Sequence, residues 1–141
     1  MHNSNAENWN ERALSQGHTG WANPHIYSYD QPLRIQAILK LIKALPFSMT
    51  ELSVLDFGCG TGDFSFAVAN LGAKVTGIDI SDVVIERANR IAGGKSNVAF
   101  ETSSDSFFAK RPEKFNMVLS ITVLQHLNGN ELKKSLRQLY D

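Results

Sequence analysis

The sequence predicts an α/β fold, a mainly parallel sheet with helices on both faces, and two observations carry that prediction. Short apolar runs at 52–57, 73–79, 97–101 and 115–121 alternate with helical stretches near 62–71, 81–92 and 130–140. Strand and helix in alternation imply right-handed crossovers and parallel pairing. The first apolar run also ends in a glycine-rich turn, VLDFGCGTGDF at 54–64, which leads straight into a helical stretch. That is the local plan of a sheet with a ligand crevice at the carboxyl ends of its strands.

In chain order, residues 1–31 are polar and aromatic by turns, with Trp9, Trp21, Tyr27 and Tyr29 but no sustained period. We read them as a surface segment or lid with one short helix near 7–15. From Pro32 the pattern changes: Ile35, Ile38, Ile42 and Leu45 recur at helical spacing, Arg34, Lys40 and Lys43 take the other face, and Pro46 stops the run. The domain proper is therefore expected to begin at residue 32 and to extend to 141. Ser81 with Asp82 suits a helix start, Gly93-Gly94 a helix end, and Asn128 followed by Glu131 a capping box. Only a short turn-like piece fits between the third and fourth strands, around 104–110. The last helical stretch carries Leu132, Leu136 and Leu139 on one face, and no fifth strand follows it. Strand four is thus expected to be an exposed edge through which the chain self-associates, and the chain to be an N-terminal portion lacking C-terminal strands.

Composition narrows the function classes. The 141 residues suit one domain, and 14 lysines plus arginines balance 14 acids, so no net field steers nucleic acid or an anionic membrane. The first residues, MHNSNAENWNER, lack a signal-like apolar core, and no run approaches the roughly 18 apolar residues of a membrane span. A cytoplasmic protein is expected. The single cysteine, Cys59, excludes an internal disulfide and a multi-thiolate zinc site, and His18 and His25 have no partners at metal-ligand spacing. No metal is expected.

The glycine turn holds the chemistry. Backbone N–H groups and a helix N-terminus beside a ligand are the geometry of nucleotide-type sites. A dinucleotide fingerprint counted from Gly58 finds Gly60 in place but Asp63 where the third glycine belongs, and no Gly-Lys-Ser/Thr follows for a P-loop. Asp56, at the tip of the first strand, would repel a pyrophosphate and favour a ligand with a cationic amine. S-adenosyl-L-methionine is such a ligand: adenosine at one end, an α-amino group at the other, and no phosphate. Asp79 ends the second strand 21 residues after Gly58, where an acid can accept ribose hydroxyls.

VLDFGCGTGDF, VTGIDIS, NVAFETSSD and FNMVLSITVLQHL together resemble the successive motifs of class I S-adenosylmethionine-dependent methyltransferases, over about residues 32–140. The resemblance implies a Rossmann-like methyltransferase fold in which Asp56 meets the methionine amino group and the backbone at Gly58, Cys59 and Gly60 follows the cofactor; Gly62, in the same loop, is read with them as cofactor-binding, the plainer reading of all three glycines being a tight strand-to-helix turn. It also implies Asp79 on the ribose, Ile80 against the adenine, Ser104 or Asp105 near the adenine amino group, and Ile121 beside the cofactor. QPLRIQ at 31–36 is similar to the entry helix of ubiquinone-pathway O-methyltransferases, which implies Arg34 on the cofactor carboxylate. WNERALSQGHTGW at 9–21 resembles the lid of small-molecule methyltransferases.

The expected activity is methyl transfer to an oxygen, nitrogen or carbon of a small acceptor, leaving S-adenosyl-L-homocysteine, with His126 as the candidate base. A loop histidine held by hydrogen bonds is the plainer reading of His126. Cys59 reads as a small buried residue rather than a nucleophile. Trp21, Tyr27 and Tyr29 either close over the sulfonium or pack the lid on the sheet. Two other functions are open: a cofactor-binding module without turnover, and a nicotinamide-dependent oxidoreductase domain, which Asp56 and Asp63 disfavour.

Overall fold

The computed structural model describes residues 5–20, 23–104, 106–111 and 114–140. Two helices, α1 (Asn5–Gln16) and α2 (Pro24–Lys43), precede β1 (Ser53–Phe57). Then follow α3 (Asp63–Ala69), β2 (Lys74–Asp79), α4 (Asp82–Ala92), β3 (Val98–Thr102), β4 (Met117–Leu119) and α5 (Gly129–Tyr140). The four strands form one parallel sheet in the order β3-β2-β1-β4, with Val54 opposite both Val75 and Met117. The chain steps outward from β1 to β3 and then returns to the far side of β1. The switch point therefore lies between β1 and β4, where a ligand crevice is expected to open.

Side-chain alternation divides the core in two. One face presents Val54, Val75, Val98, Phe100 and Leu119 to Ile42 of α2, Val68 and Ala69 of α3, and Ile85, Ala88 and Ala92 of α4. The other presents Leu55 and Ile78 to Phe107, with Phe57, Phe108, Phe115 and Leu139 of α5 packed around them. The predicted helices on both faces are present, three on one side and α5 on the other, and the piece at 106–110 is a turn.

Local signals explain the boundaries. Ser81 accepts Val84 N at the start of α4, and Gly93, at φ 55°, ends it. Asn128 accepts Asn130 N and Glu131 N, and Glu131 accepts Asn128 N, so the capping box of α5 is formed. Two expectations need correction. The helix predicted from Pro32 begins at Pro24, because Asn23 caps it by accepting His25 N and Ile26 N, and Pro32 lies inside it. One helix therefore joins the lid segment to the domain. The fourth strand pairs only over Met117–Leu119; it is a sheet edge, but three residues long.

Candidate functional site

The loop after β1 is pinned to β2 from below. Gly58 N and Cys59 N both donate to Ile78 O, at 2.7 and 2.9 Å, and Gly60 N donates to Asp79 Oδ2 at 2.9 Å. Gly58, at φ 77°, would be strained as any other residue, and a Cβ there would lie 2.2 Å from Val123 Cγ2. Backbone therefore comes within reach of whatever occupies the crevice. Gly62 ends the loop. It caps α3 in the left-handed conformation and faces Phe100, and it does not line the crevice.

Three carboxylates surround this loop. Asp56 is buried at its base, accepting Ser65 Oγ at 2.6 Å. Burial pushes its pKa up to about 6, against the pull of the Ser65 hydrogen bonds and with a further push from Asp79. Asp79 is also buried, and burial raises it, opposed by backbone N–H donors from Ser81, Gly60 and Ile80. Asp63, at the first turn of α3, accepts Tyr27 Oη at 2.5 Å and Gln31 Nε2 at 3.2 Å. Both donors sit one turn apart on α2, so this acid ties the lid helix to the glycine loop. Beside these acids the buried Cys59 thiol is pushed well above its ordinary value, by burial first and then by Asp56 and Asp79.

Residues of α1 and α2 flank the crevice from above. Ser81 Oγ donates to Asn10 Oδ1 at 2.6 Å and Arg87 Nη1 to Ala13 O at 2.9 Å, which fix α1 over the end of β2. His18 stacks on Tyr27 at 3.8 Å, and burial lowers its pKa, with Arg12 adding to the effect. Burial and the bond to Asp63 keep the Tyr27 phenol protonated. Arg12 Nη2 donates to Gly20 O at 2.6 Å, while Arg12 Nε and Gln31 Oε1 are buried without partners.

The crevice, open on one side, has a volume of about 630 Å³. It gathers the expected Arg34, Asp56, Gly58, Cys59, Gly60, Asp79, Ile80, Ser104, Ile121 and His126 on its walls. Asp105 and Trp21 lie outside the described residues. Arg34 reaches the cavity with its Nε 3.8 Å from Asp30 and its guanidinium over Phe64. His126 is exposed at the rim, its ring edge-on to Trp9 at 5.1 Å between centroids. Tyr29 points to solvent, 80% exposed, whereas Tyr27 lines the crevice. Arg12, Gln31 and Val123 also line the cavity and were not singled out from the sequence. The spacing of Tyr27, Gln31 and Arg34 on one helical face is the signal that could have found Gln31. Among the described residues no three His, Cys, Asp or Glu are grouped to hold a metal ion, and no helix is long and apolar enough to cross a membrane.

Residues 54–141 match the family model described as a methyltransferase domain. The chain is 35% identical over 81 residues to a ubiquinone biosynthesis O-methyltransferase from Saccharophagus degradans, covering 56% of this chain and 34% of that protein. It is 32% identical over 98 residues to the protein of the same name from Stutzerimonas stutzeri, covering 68% and 40%. The chain thus spans about a third to two fifths of the curated relatives it matches. Among solved structures, magnesium protoporphyrin IX methyltransferase from Synechocystis PCC 6803 with bound SAM superposes with TM-score 0.75 at 22% identity, over 95% of this chain and 67% of that one. At that identity the likeness concerns the fold.

Proposed function

The chain belongs to the methyltransferase-domain family, and from that premise we propose that it binds S-adenosyl-L-methionine and transfers its methyl group to a small-molecule acceptor. The observation that carries the proposal is a buried carboxylate, Asp56, at the base of a glycine-lined cavity whose walls show no phosphate-binding Gly-Lys-Ser/Thr loop. The residues fit the cofactor. An anion at the base suits an amino group, and Gly58 lets the backbone approach. The buried Nε of Arg12 and the guanidinium of Arg34 offer donors to a carboxylate. A cavity of about 630 Å³ is within the range that small-molecule sites occupy.

Each residue's part follows from its position. Asp56, its ionised form favoured further by a cationic partner, holds the amino end. Asp79 spends one lone pair of each oxygen on Gly60 N and Ser81 N, and its remaining lone pairs are available to ribose hydroxyls. Ile80 and Ser104 frame the adenine, and Ile121 closes the side toward β4. The cofactor supplies, when bound, a methyl group already activated on a sulfonium. The chain supplies orientation for in-line displacement, exclusion of water by α1 and α2, and at His126 a nitrogen that can take the acceptor's proton.

The test is a calorimetric titration of S-adenosylhomocysteine into the protein and into Asp56→Asn, with NAD as comparator. Asp79→Ala is a poorer control, because it also frees Gly60 N and Ser81 N. Binding of S-adenosylhomocysteine that Asp56→Asn weakens at least tenfold is expected. Binding of NAD alone would replace this reading with an oxidoreductase.

A further inference from the structure

One imidazole places the segment that follows α1. His18, 8% exposed, accepts Gly20 N at Nδ1 over 3.2 Å, and Arg12 Nη2 donates to Gly20 O, so both backbone polar groups of Gly20 are held. The ring lies flat on Tyr27, with 7° between the planes. Tyr27 carries the contact onward, since its Oη donates to Asp63 at the start of α3. Between His18 and Gly20, Thr19 lies over the glycine loop: a Cβ on Gly60 would meet Thr19 Oγ1 at 3.1 Å. Thr19, Gly20 and Gly60 all line the crevice, and His18 does not. Any influence of His18 on the site therefore passes through the two residues after it.

The bond to Gly20 fixes the state of the ring. A nitrogen that accepts from an N–H carries no proton, so the hydrogen-bond network assigns the proton of the neutral imidazole to Nε2. A second proton, on Nδ1, would face the Gly20 N–H and end that bond. Nε2 is itself buried without a partner, so nothing there would offset the added charge. The groups around the ring act in both directions. Arg12 of α1 opposes a charge on it and Asp63 of α3 favours one. On α2, Tyr27 stays a neutral phenol and Arg34 acts on that phenol; Arg87 of α4 lies beside Gly17. Burial first and Arg12 second hold the imidazole below its ordinary 6.5.

We propose that His18 is a positioning residue of the crevice: its neutral ring holds Thr19 and Gly20 against Gly60, and a proton on Nδ1 releases them from the rim. The hold itself is independent of the ligand, whereas its consequence for affinity rests on the reading of the crevice as a cofactor site. The direction follows from proton counting. Below pH 6.5 the released segment takes up a proton that the held one rejects, so the hold weakens as pH falls. Cofactor affinity then has two acid-sensitive contributions. Asp56 loses its charge as pH falls through about 6, and His18 lets go of the rim. The second is worth about fivefold, the equivalent of one hydrogen bond.

The experiment follows the Gly20 amide by NMR in the full chain near pH 7.5 and near pH 5, in the parent and in His18→Asn, whose side-chain oxygen can accept Gly20 N but does not titrate. Protection is taken relative to the unfolded chain at the same pH. In the parent, Gly20 should lose about fivefold in protection at the lower pH, in step with titration of the His18 ring protons. His18→Asn should keep its protection at both. Titrated with S-adenosylhomocysteine, the parent should lose about fivefold more affinity between the two pH values than His18→Asn, the Asp56 contribution being common to both. Gly20 protection that does not change with pH overturns the proposal, and so does a change out of step with the ring or one that persists in His18→Asn. Equal pH dependence of S-adenosylhomocysteine binding in the two proteins also overturns it, because the rim would then move without governing the site. No binding at either pH, with Gly20 responding as expected, would refute the cofactor reading and leave the hold standing.

Discussion

Asp56→Asn should make the ligand-free protein more stable while weakening the proposed cofactor site. The carboxyl is buried and its pKa stands at about 6 rather than the ordinary 3.8. A displacement of roughly two units, at about 1.4 kcal/mol each, means that keeping the group ionised costs the native state about 3 kcal/mol near neutral pH. The sign follows from proton counting. Between pH 3.8 and about 6 the native state holds a proton that the unfolded chain has released, so this group's contribution to stability falls as pH rises through that window. Asparagine keeps the shape, places its oxygen on the Ser65 N–H and its amide on the Ser65 hydroxyl, which can accept as well as donate, and removes the charge. Urea unfolding near pH 7.5 should show a gain of up to about 3 kcal/mol, shrinking to about 1 kcal/mol near pH 4.5, where the parent carboxyl is protonated in the native state. A gain of equal size at both pH values, or a loss at pH 7.5, would refute the reasoning. A gain of equal size at both pH values would mean that the titration is not that of Asp56, and a loss at pH 7.5 that the Ser65 hydrogen bonds outweigh the cost of the buried charge.

Two further outcomes test the surroundings of that carboxylate. A double-mutant cycle of Tyr27→Phe and Asp63→Ala, read by thermal unfolding, should give a coupling of about 1 kcal/mol, as expected of a half-buried charge-assisted hydrogen bond. Additive effects would mean that the bond between the lid and the loop carries no stability. The Cys59 thiol, buried and raised beside two acids, should react with a disulfide reagent near pH 8 at least a hundredfold more slowly in the native protein than in urea. Rapid native labelling would show that the loop opens.

The parts of this fold that depend on local chemistry could be read from the sequence. Ser81, Gly93 and the Asn128–Glu131 pair cap the helices they mark, and the apolar runs ending in Asp56 and Asp79 are β1 and β2. What could not be read depends on contacts distant in sequence. Pro32 looked like a helix start because proline usually is one. It lies mid-helix because Asn23 provides a better cap and because Tyr27 and Gln31 find their partner more than 30 residues downstream. The apolar run 115–121 suggested a long fourth strand, but β1 offers partners only from Val54 to Asp56. Beyond Leu119 the chain bends into the cavity wall, with Thr122 at φ 59°.

Asp63 shows best how a residue can be noticed for the wrong reason. In the sequence it mattered as the position where the dinucleotide fingerprint fails, a negative statement about one ligand. In the structure it is the anchor of the lid, and this changes the accounting of charge around the loop. The three acids Asp56, Asp63 and Asp79 share one loop, and two of them are already occupied. Asp79 takes backbone N–H groups from Gly60, Ile80 and Ser81, and Asp63 takes a phenol and an amide from α2. Asp56 has Ser65 alone, and burial lifts its pKa to about 6 in spite of it. The demand for a cation is therefore concentrated on the carboxylate at the base of the cavity, and a ligand gains most by bringing a positive amine there. A chain with no net charge thus selects for charge locally, through which of its acids the fold leaves without enough donors.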